Sequence, residues 1–252
     1  MIGCNPNEVE LGANEELHDL QINNLYLVQR RGGYMFTSDS VLLANFVKLK
    51  STDCAVELCA GSGVVSVLAA SKNKYKKLVA VELQKSLFEL CEKNFEINHI
   101  QNASCINLPL QNVHKTIGQE NWDVVFCNPP FFKPQVLSAK TDERAIARKE
   151  IALNLTELIE EVSRLLKFGG SVYMVYFTER LAEVVFELKK HNLEPKILQL
   201  VQPKADREAN IFLIKATKGG RGGIKVLPAL VMYTPQGEET TQLKEIYNRK
   251  QK

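Results

Sequence analysis

No stretch of this 252-residue chain approaches the roughly 20 uncharged apolar residues that a membrane-spanning helix requires. Met1 to Glu16 is polar and acidic, not basic then apolar as a secretory leader would be. The expectation is a cytoplasmic protein with no membrane partner. No Cys-x-x-Cys pair occurs either: the six cysteines stand at positions 4, 54, 59, 91, 105 and 127, most within apolar segments such as Asp53-Cys54-Ala55-Val56 and Val125-Phe126-Cys127. Such spacing builds neither a zinc site nor a disulfide framework, and it suits small buried hydrophobes in a reducing compartment. Internal repeats, low-complexity tracts and Gly- or Pro-rich linkers are also missing, so a single domain over 1–252 is expected; the expectations set beside it, which these absences do not supply, are a monomer and no metal. Charge of one sign is scarce as well. A net charge of +3 is too small for a bulk electrostatic argument, so any case for a nucleic-acid partner rests on local clusters.

What is present is regular alternation. Short β-branched runs predict strands at Cys54–Leu58, Leu78–Glu82, Ala103–Asn107, Trp122–Cys127, Ser171–Phe177, Lys196–Val201 and Ile211–Ala216. Between them, apolar residues at three-and-four spacing predict helices at Gly63–Ser71, Gln84–Asn98, Leu155–Lys167 and Glu179–His191, with Gly169-Gly170 as the C-cap of the third. Upstream, Ser38–Leu49 reads as an amphipathic helix with Ser38 as its N-cap, and Glu238–Asn248 reads as a helix after the turn Pro235-Gln236-Gly237. Five strands alternate with helices and two more follow without one. That order fits a Rossmann-like α/β fold whose mixed seven-stranded sheet, flanked by helices, ends in an antiparallel partner.

The segment Ala55 to Gly63 leaves a strand, passes through Gly61 and Gly63 and enters a helix. Glycines let backbone approach a ligand, and a helix start offers unpaired N–H groups to an anion. A dinucleotide fingerprint needs a third glycine or alanine, where this chain has Ser66, so the methionine carboxylate of S-adenosylmethionine (SAM) is a better fit than a pyrophosphate. Two acids add to this. Glu57 within the first strand points toward the amino-acid end of such a cofactor, and Glu82, with Leu83 beside it, ends the second strand where a carboxylate can accept both ribose hydroxyls. The bland alternative is that Glu57 caps a turn and Glu82 opens the next helix.

A second loop follows the fourth strand: Asn128-Pro129-Pro130-Phe131. Open α/β sheets carry their chemistry at the carboxyl ends of strands, so this loop faces the same crevice as the glycine loop. Two prolines fix φ and free the carbonyls before them. The Asn128 amide oxygen and a backbone carbonyl can then accept both hydrogens of one –NH₂ group and draw its nitrogen toward a tetrahedral shape. Phe131 is the candidate ring for stacking on a base held out of its neighbours' stack. Orientation and proximity supply roughly 7–11 kcal/mol of such a barrier, so neither a metal nor a strong base is needed.

With these segments in place, and with Phe36 to Ala44 and Arg144 to Glu150 added, the chain resembles the bacterial tRNA adenine N6-methyltransferases of the tRNA-Val type, class I SAM-dependent enzymes that modify the adenine at tRNA position 37. The resemblance implies SAM as cofactor, tRNA as partner and a cofactor site of Ser38, Asp39, Glu57, Cys59, Ala60, Gly61, Gly63, Glu82, Leu83, Asn107 and Asn128. It also implies a catalytic loop of Asn128, Pro129, Pro130 and Phe131. It divides the domain into an extension and covering helix over 1–50, a core over 51–217 and a basic segment over 218–252. Asn107 stands where the family usually has an acid on the adenine of SAM, which implies a weaker contact there. Arg30, Arg31, Lys133, Lys140, Arg144, Arg148, Lys204, Arg207 and Arg221 are the candidate RNA contacts.

Other activities share parts of this pattern. Asn-Pro-Pro-aromatic loops also serve glutamine N5-methyltransferases acting on release factors, which carry a helical domain before the core, and adenine methyltransferases acting on ribosomal RNA or DNA. An NAD-linked oxidoreductase would need the third glycine. A silent RNA-binding module on the same fold is the remaining alternative.

Overall fold

The computed structural model of the chain describes residues 2–33, 36–130 and 154–248. In chain order its elements are β1 (Glu15–Asp19), β2 (Tyr26–Arg30), α1 (Ser38–Phe46), β3 (Cys54–Leu58), α2 (Val64–Lys72), β4 (Lys77–Glu82), α3 (Lys85–Ile97), β5 (Ala103–Asn107), α4 (Val113–Ile117) and β6 (Trp122–Cys127). There follow α5 (Leu155–Leu165), β7 (Leu166–Phe177), α6 (Leu181–Lys190), β8 (Leu193–Gln202), β9 (Ile211–Lys218), β10 (Lys225–Val226), β11 (Leu230–Val231) and α7 (Thr241–Ile246).

Nine of the described strands form one sheet in the order β10-β8-β9-β7-β6-β3-β4-β5, with β11 also paired to β8. Neighbours run parallel except β9, which is antiparallel to both β7 and β8. The central strands are apolar on both faces because helices cover both. In β6, Val124 and Phe126 join the core shared with α1 and α2, while Val125 and Cys127 join the core shared with α5 and α6. This is the expected α/β architecture, a class I methyltransferase fold. The seven expected strands are all present, and two-residue edge strands β10 and β11 extend the sheet to nine. Strands that short show no period-two pattern for a sequence to reveal.

Three local expectations are corrected. Ser38 is the first residue of α1 and not its cap; Thr37 holds the extended cap position without a side-chain bond. Gly169 and Gly170 do not close the third helix, because α5 ends at Leu165 and both glycines lie inside β7. A Cβ on Gly170 would stand 2.9–3.1 Å from the carbonyl oxygens of Lys167, Trp122 and Asp123, beside the irregularity in the β6–β7 register. Close backbone approach at a bulge, not helix termination, is what demands glycine there. Finally, residues 15–30 form the hairpin β1–β2, which the alternation from residue 53 onward did not foretell.

That hairpin is fastened by two asparagines of α3. Asn94 accepts from Val28 N at 2.7 Å and donates to Val28 O at 3.1 Å; Asn98 accepts from Tyr26 N at 3.0 Å and donates to Tyr26 O at 2.7 Å. Two residues along a strand advance about 6.7 Å and four along a helix about 6.0 Å, so carboxamides at i and i+4 can pair a strand edge as another strand would. Asn94 also donates to Ser62 O at 2.9 Å, joining the hairpin to the glycine loop. Replacing Asn94 by Ala removes these bonds and strands buried backbone groups. The expected loss is about 2–4 kcal/mol of stability, read as a lower urea midpoint; an unchanged midpoint would mean the hairpin is held by its apolar residues alone.

Candidate active site

Leu58 of β3 pairs with both Val81 of β4 and Cys127 of β6, so the loops that follow these strands open onto one edge of the sheet. The chain runs from β3 through β4 to β5 on one side and then returns to β6 on the other. A crevice forms where the order reverses. The glycine loop stands on one wall and Asn128 on the other.

The loop's conformation explains its residues. Cys59, Gly61 and Gly63 all have positive φ, at 58°, 56° and 80°. A Cβ on Gly63 would lie 2.6 Å from Cys91 Sγ, whereas one on Gly61 would meet nothing within 4 Å. Gly63 is therefore required by packing against α3, and Gly61 leaves open space beside the loop. Ala60 is buried and its N–H donates to Val81 O at 3.0 Å, tying the loop to β4. Cys59 packs against Cys127, whose thiol burial pushes upward in pKa. All six cysteines are free, as their spacing implied.

Glu82, 7% exposed, holds the loop from the next strand. One carboxylate oxygen accepts from Gly61 N at 2.8 Å and the other from Gln84 N at 2.8 Å. Glu57 is 1% exposed and its Oε2 accepts from Ser66 N at 2.9 Å and from the Ser66 hydroxyl. Ser66 lies in the first turn of α2, so Glu57 caps that helix from the end of the neighbouring strand. Burial raises the pKa of Glu57 to about 8, opposed by its bonds to Ser66 and reinforced by Glu82. Burial also raises Glu82 and Asp39. With the Gly61 amide already given to Glu82, the loop has one donor fewer for a pyrophosphate, and a carboxyl at the end of β4 suits a ligand bearing hydroxyl donors. SAM, with its sulfonium, ammonium and ribose diol, has that character, and the donor set fits it.

The buried acid carries a pH prediction. Folded Glu57 keeps its proton to about pH 8, while the unfolded chain releases it near the ordinary carboxyl value of 4.5. Because the folded state binds the extra proton, stability falls as pH rises between those values, by on the order of a few kcal/mol. Urea midpoints of the ligand-free protein should drop from pH 5 to pH 8, and Glu57→Gln should flatten the slope. A midpoint that rises across this window would contradict the assignment.

Beyond Glu82, Leu83 is 49% exposed, an apolar surface at the end of β4. Asn107 ends β5 and donates from Nδ2 to Glu82 O at 2.9 Å and to Leu83 O at 2.8 Å. Its remaining hydrogen-bonding end is the acceptor Oδ1. An acid there would turn a carboxylate oxygen toward those carbonyls, so asparagine supports the turn as an acid could not.

On the opposite wall, Asn128 is half-buried, Pro129 buried and Pro130 half-buried. Asn128 Nδ2 donates to Ser40 Oγ at 3.0 Å, which brings the N-terminus of α1, with Ser38 and Asp39, to the catalytic loop. Ser40 was not singled out by sequence. Its signal is a hydroxyl in a helix whose next four residues are all buried apolar side chains. Asn94 was missed similarly. Its signal is a pair of asparagines four apart inside a helix, where that residue is disfavoured.

Phe131, Lys133, Lys140, Arg144 and Arg148 lie outside the described residues. Of the other basic candidates, Arg30 reaches Glu89 of α3 at 3.8 Å, and Arg31 is exposed in the turn after β2. Lys204 and Arg207 lie between β8 and β9, at the same edge of the sheet as Asn128, because β8 runs parallel to β7 through their shared antiparallel neighbour. Arg221 does not join them. It follows β9, which runs the other way, and its carbonyl accepts from Lys196 Nζ at 2.9 Å at the opposite edge.

Among the described residues no His, Cys, Asp and Glu cluster could hold a metal ion, and no helix is long and apolar enough to cross a membrane. Residues 36–192 match the family model of the methyltransferase small domain. A relative in Shewanella woodyi, named tRNA1(Val) (adenine(37)-N6)-methyltransferase, is 29% identical over 167 residues, covering 64% of this chain and 67% of its own length. One of the same name in Dyadobacter fermentans is 27% identical over 160 residues, covering 61% of this chain and 65% of its own. The matches thus span about two thirds of these relatives. Among solved structures, a protein of Agrobacterium tumefaciens described as a predicted O-methyltransferase superposes with a TM-score of 0.68 at 17% identity, covering 84% of this chain and 96% of that one. TYW2 of M. jannaschii, solved in complex with AdoMet (SAM), superposes at 0.57 with 12% identity over 83% of this chain and 89% of its own. At those identities the likeness is one of fold.

Proposed function

The chain belongs to the methyltransferase small domain family, and from that premise we propose that it transfers a methyl group from SAM to the N6 amine of adenine 37 in a tRNA. The observation that carries the reading is the pairing of the glycine loop, held by Glu82, with Asn128-Pro129-Pro130 across one crevice. The names of the Shewanella and Dyadobacter relatives support the choice of tRNA and of position 37.

When bound, SAM supplies an electrophilic methyl carbon on a sulfonium. The chain's own residues do the rest. Glu82 takes the ribose hydroxyls, Leu83 lies under the adenine and Asn107 Oδ1 accepts from its amine. Asn128 Oδ1 and the Pro129 carbonyl accept the two hydrogens of the target amine, which localises the nitrogen lone pair and aims it along the line of attack. As the N–C bond forms the C–S bond breaks, its electron pair stays on sulfur, and the cationic amine then loses one of the two held hydrogens to solvent water as a proton. Lys204 and Arg207, at the same edge, meet phosphates of the anticodon arm.

The test is incubation of the protein with methyl-labelled SAM and total bacterial RNA and protein, followed by fractionation and ribonuclease mapping of the labelled fraction. Label in the anticodon-loop fragment of a tRNA is expected. Label in ribosomal RNA or in a protein would overturn the substrate assignment.

A further inference from the structure

We propose that Ser40 is a positioning residue for the methyl-accepting amine: its hydroxyl tethers the Asn128 carboxamide at Nδ2 and fixes its side-chain torsion, leaving the Oδ1 end to the crevice. The inference rests on the reading just given, in which Asn128 receives that amine. Its geometry is plain. Ser40 is 4% exposed, in the first turn of α1, and its Oγ accepts from Asn128 Nδ2 at 3.0 Å across 88 residues of sequence.

A carboxamide has two ends of nearly equal size and opposite hydrogen-bonding sense. A primary amine poised for methylation offers two hydrogens, so only the oxygen end serves it. An Asn128 turned the other way would set N–H against N–H and would leave the amine's lone pair delocalised. Engaging Nδ2 with Ser40 removes the wrong end from the crevice. A hydroxyl can also donate, so a flipped amide would keep a bond to Ser40; the amine itself breaks that tie, since it has no acceptor to give while its lone pair is committed to attack. What Ser40 supplies in either case is a fixed side-chain torsion.

Helix propensity argues against a purely structural role, because alanine is the better helix former and buries no polar group. The hydroxyl stands at a position where helix formation alone would favour alanine. Asp39 and Ser38 precede it on the same turn, so the segment assigned to cover the cofactor also steadies the group that holds the amine. Cofactor binding and amine orientation are thereby joined through one helix terminus.

The test compares wild type, Ser40→Ala and Ser40→Thr as full chains. With asparagine ¹⁵N-labelled, the side-chain amide resonances of Asn128 are identified by their loss in Asn128→Ala. In Ser40→Ala they should shift and exchange with solvent faster by tenfold or more, and Ser40→Thr should restore them. Single-turnover methyl transfer to tRNA should fall about 10–100-fold in Ser40→Ala, with SAM affinity and thermal midpoint held within twofold and 2 °C or so. Unaltered Asn128 resonances in Ser40→Ala would overturn the proposal whatever the activity, and so would a rate loss matched by an equal loss of SAM affinity. The resonance shift in Ser40→Ala, together with wild type that transfers no methyl to tRNA, would overturn the substrate reading and leave the tether standing.

Discussion

Asn128→Ala should lower the rate of methyl transfer by about 10²–10³-fold, the usual scale for deleting one preorganised hydrogen-bonding group aimed at the reacting atoms, while SAM affinity stays within about threefold. The reasoning starts from the adenine amine, a poor nucleophile whose lone pair is spread into the ring. Two fixed acceptors are needed to reshape it. Asn128 provides one at the end of β6, and the prolines after it hold the backbone that provides the other. Alanine leaves one acceptor and opens a space that water enters. Because Asn128 meets the cofactor loop only across the crevice, calorimetric SAM binding should be spared. A variant that transfers methyl at the wild-type rate would show that the loop is a rigid turn, as it would be in a silent RNA-binding module.

The second large effect belongs to Glu82→Ala, with SAM binding weakened about 10–100-fold, equivalent to roughly 1.4–2.7 kcal/mol. Glu82 has two tasks in one carboxylate. It accepts from Gly61 N and Gln84 N, fixing the glycine loop and the turn into α3, and in the proposed reading its remaining lone pairs take the ribose diol. Hydrogen bonds to a charged group contribute about 1.5–3 kcal/mol each, so loss at the ribose alone accounts for the estimate and a loosened loop adds to it. Glu82→Gln should fall between the two proteins, since a carboxamide keeps one acceptor for Gly61 N and offers only donors to the second backbone amide. Calorimetry showing unaltered SAM affinity in Glu82→Ala would remove the ribose assignment.

Much of this crevice was legible in the sequence because its parts are local. The glycine loop lies between one strand and the helix it feeds, and the Asn-Pro-Pro turn follows its own strand, so parallel topology alone brings them to one edge. What the sequence did not show depends on distant pairs. Val28 meets Asn94 across 66 positions and Ser40 meets Asn128 across 88, and neither pair announces itself by spacing. The glycine pair at 169–170 was misassigned for a related reason: a helix C-cap and a bulge in a strand ask the same residue type for the same backbone freedom, and only the β6–β7 register separates them. Arg221 shows the limit for charge. Its basic, glycine-rich surroundings suggest RNA equally well at either end of the sheet, and the direction of β9 decides which end it occupies.

The most direct measurement of the central claim is atomic. Transfer from SAM carrying a ¹³C methyl group, followed by nuclease digestion and mass and NMR analysis of the product, locates the new carbon. The two-acceptor geometry of Asn128 and Pro129 predicts the label on the exocyclic N6 of adenosine. Label on a ring nitrogen, on a ribose oxygen or on a glutamine side-chain amide would contradict it.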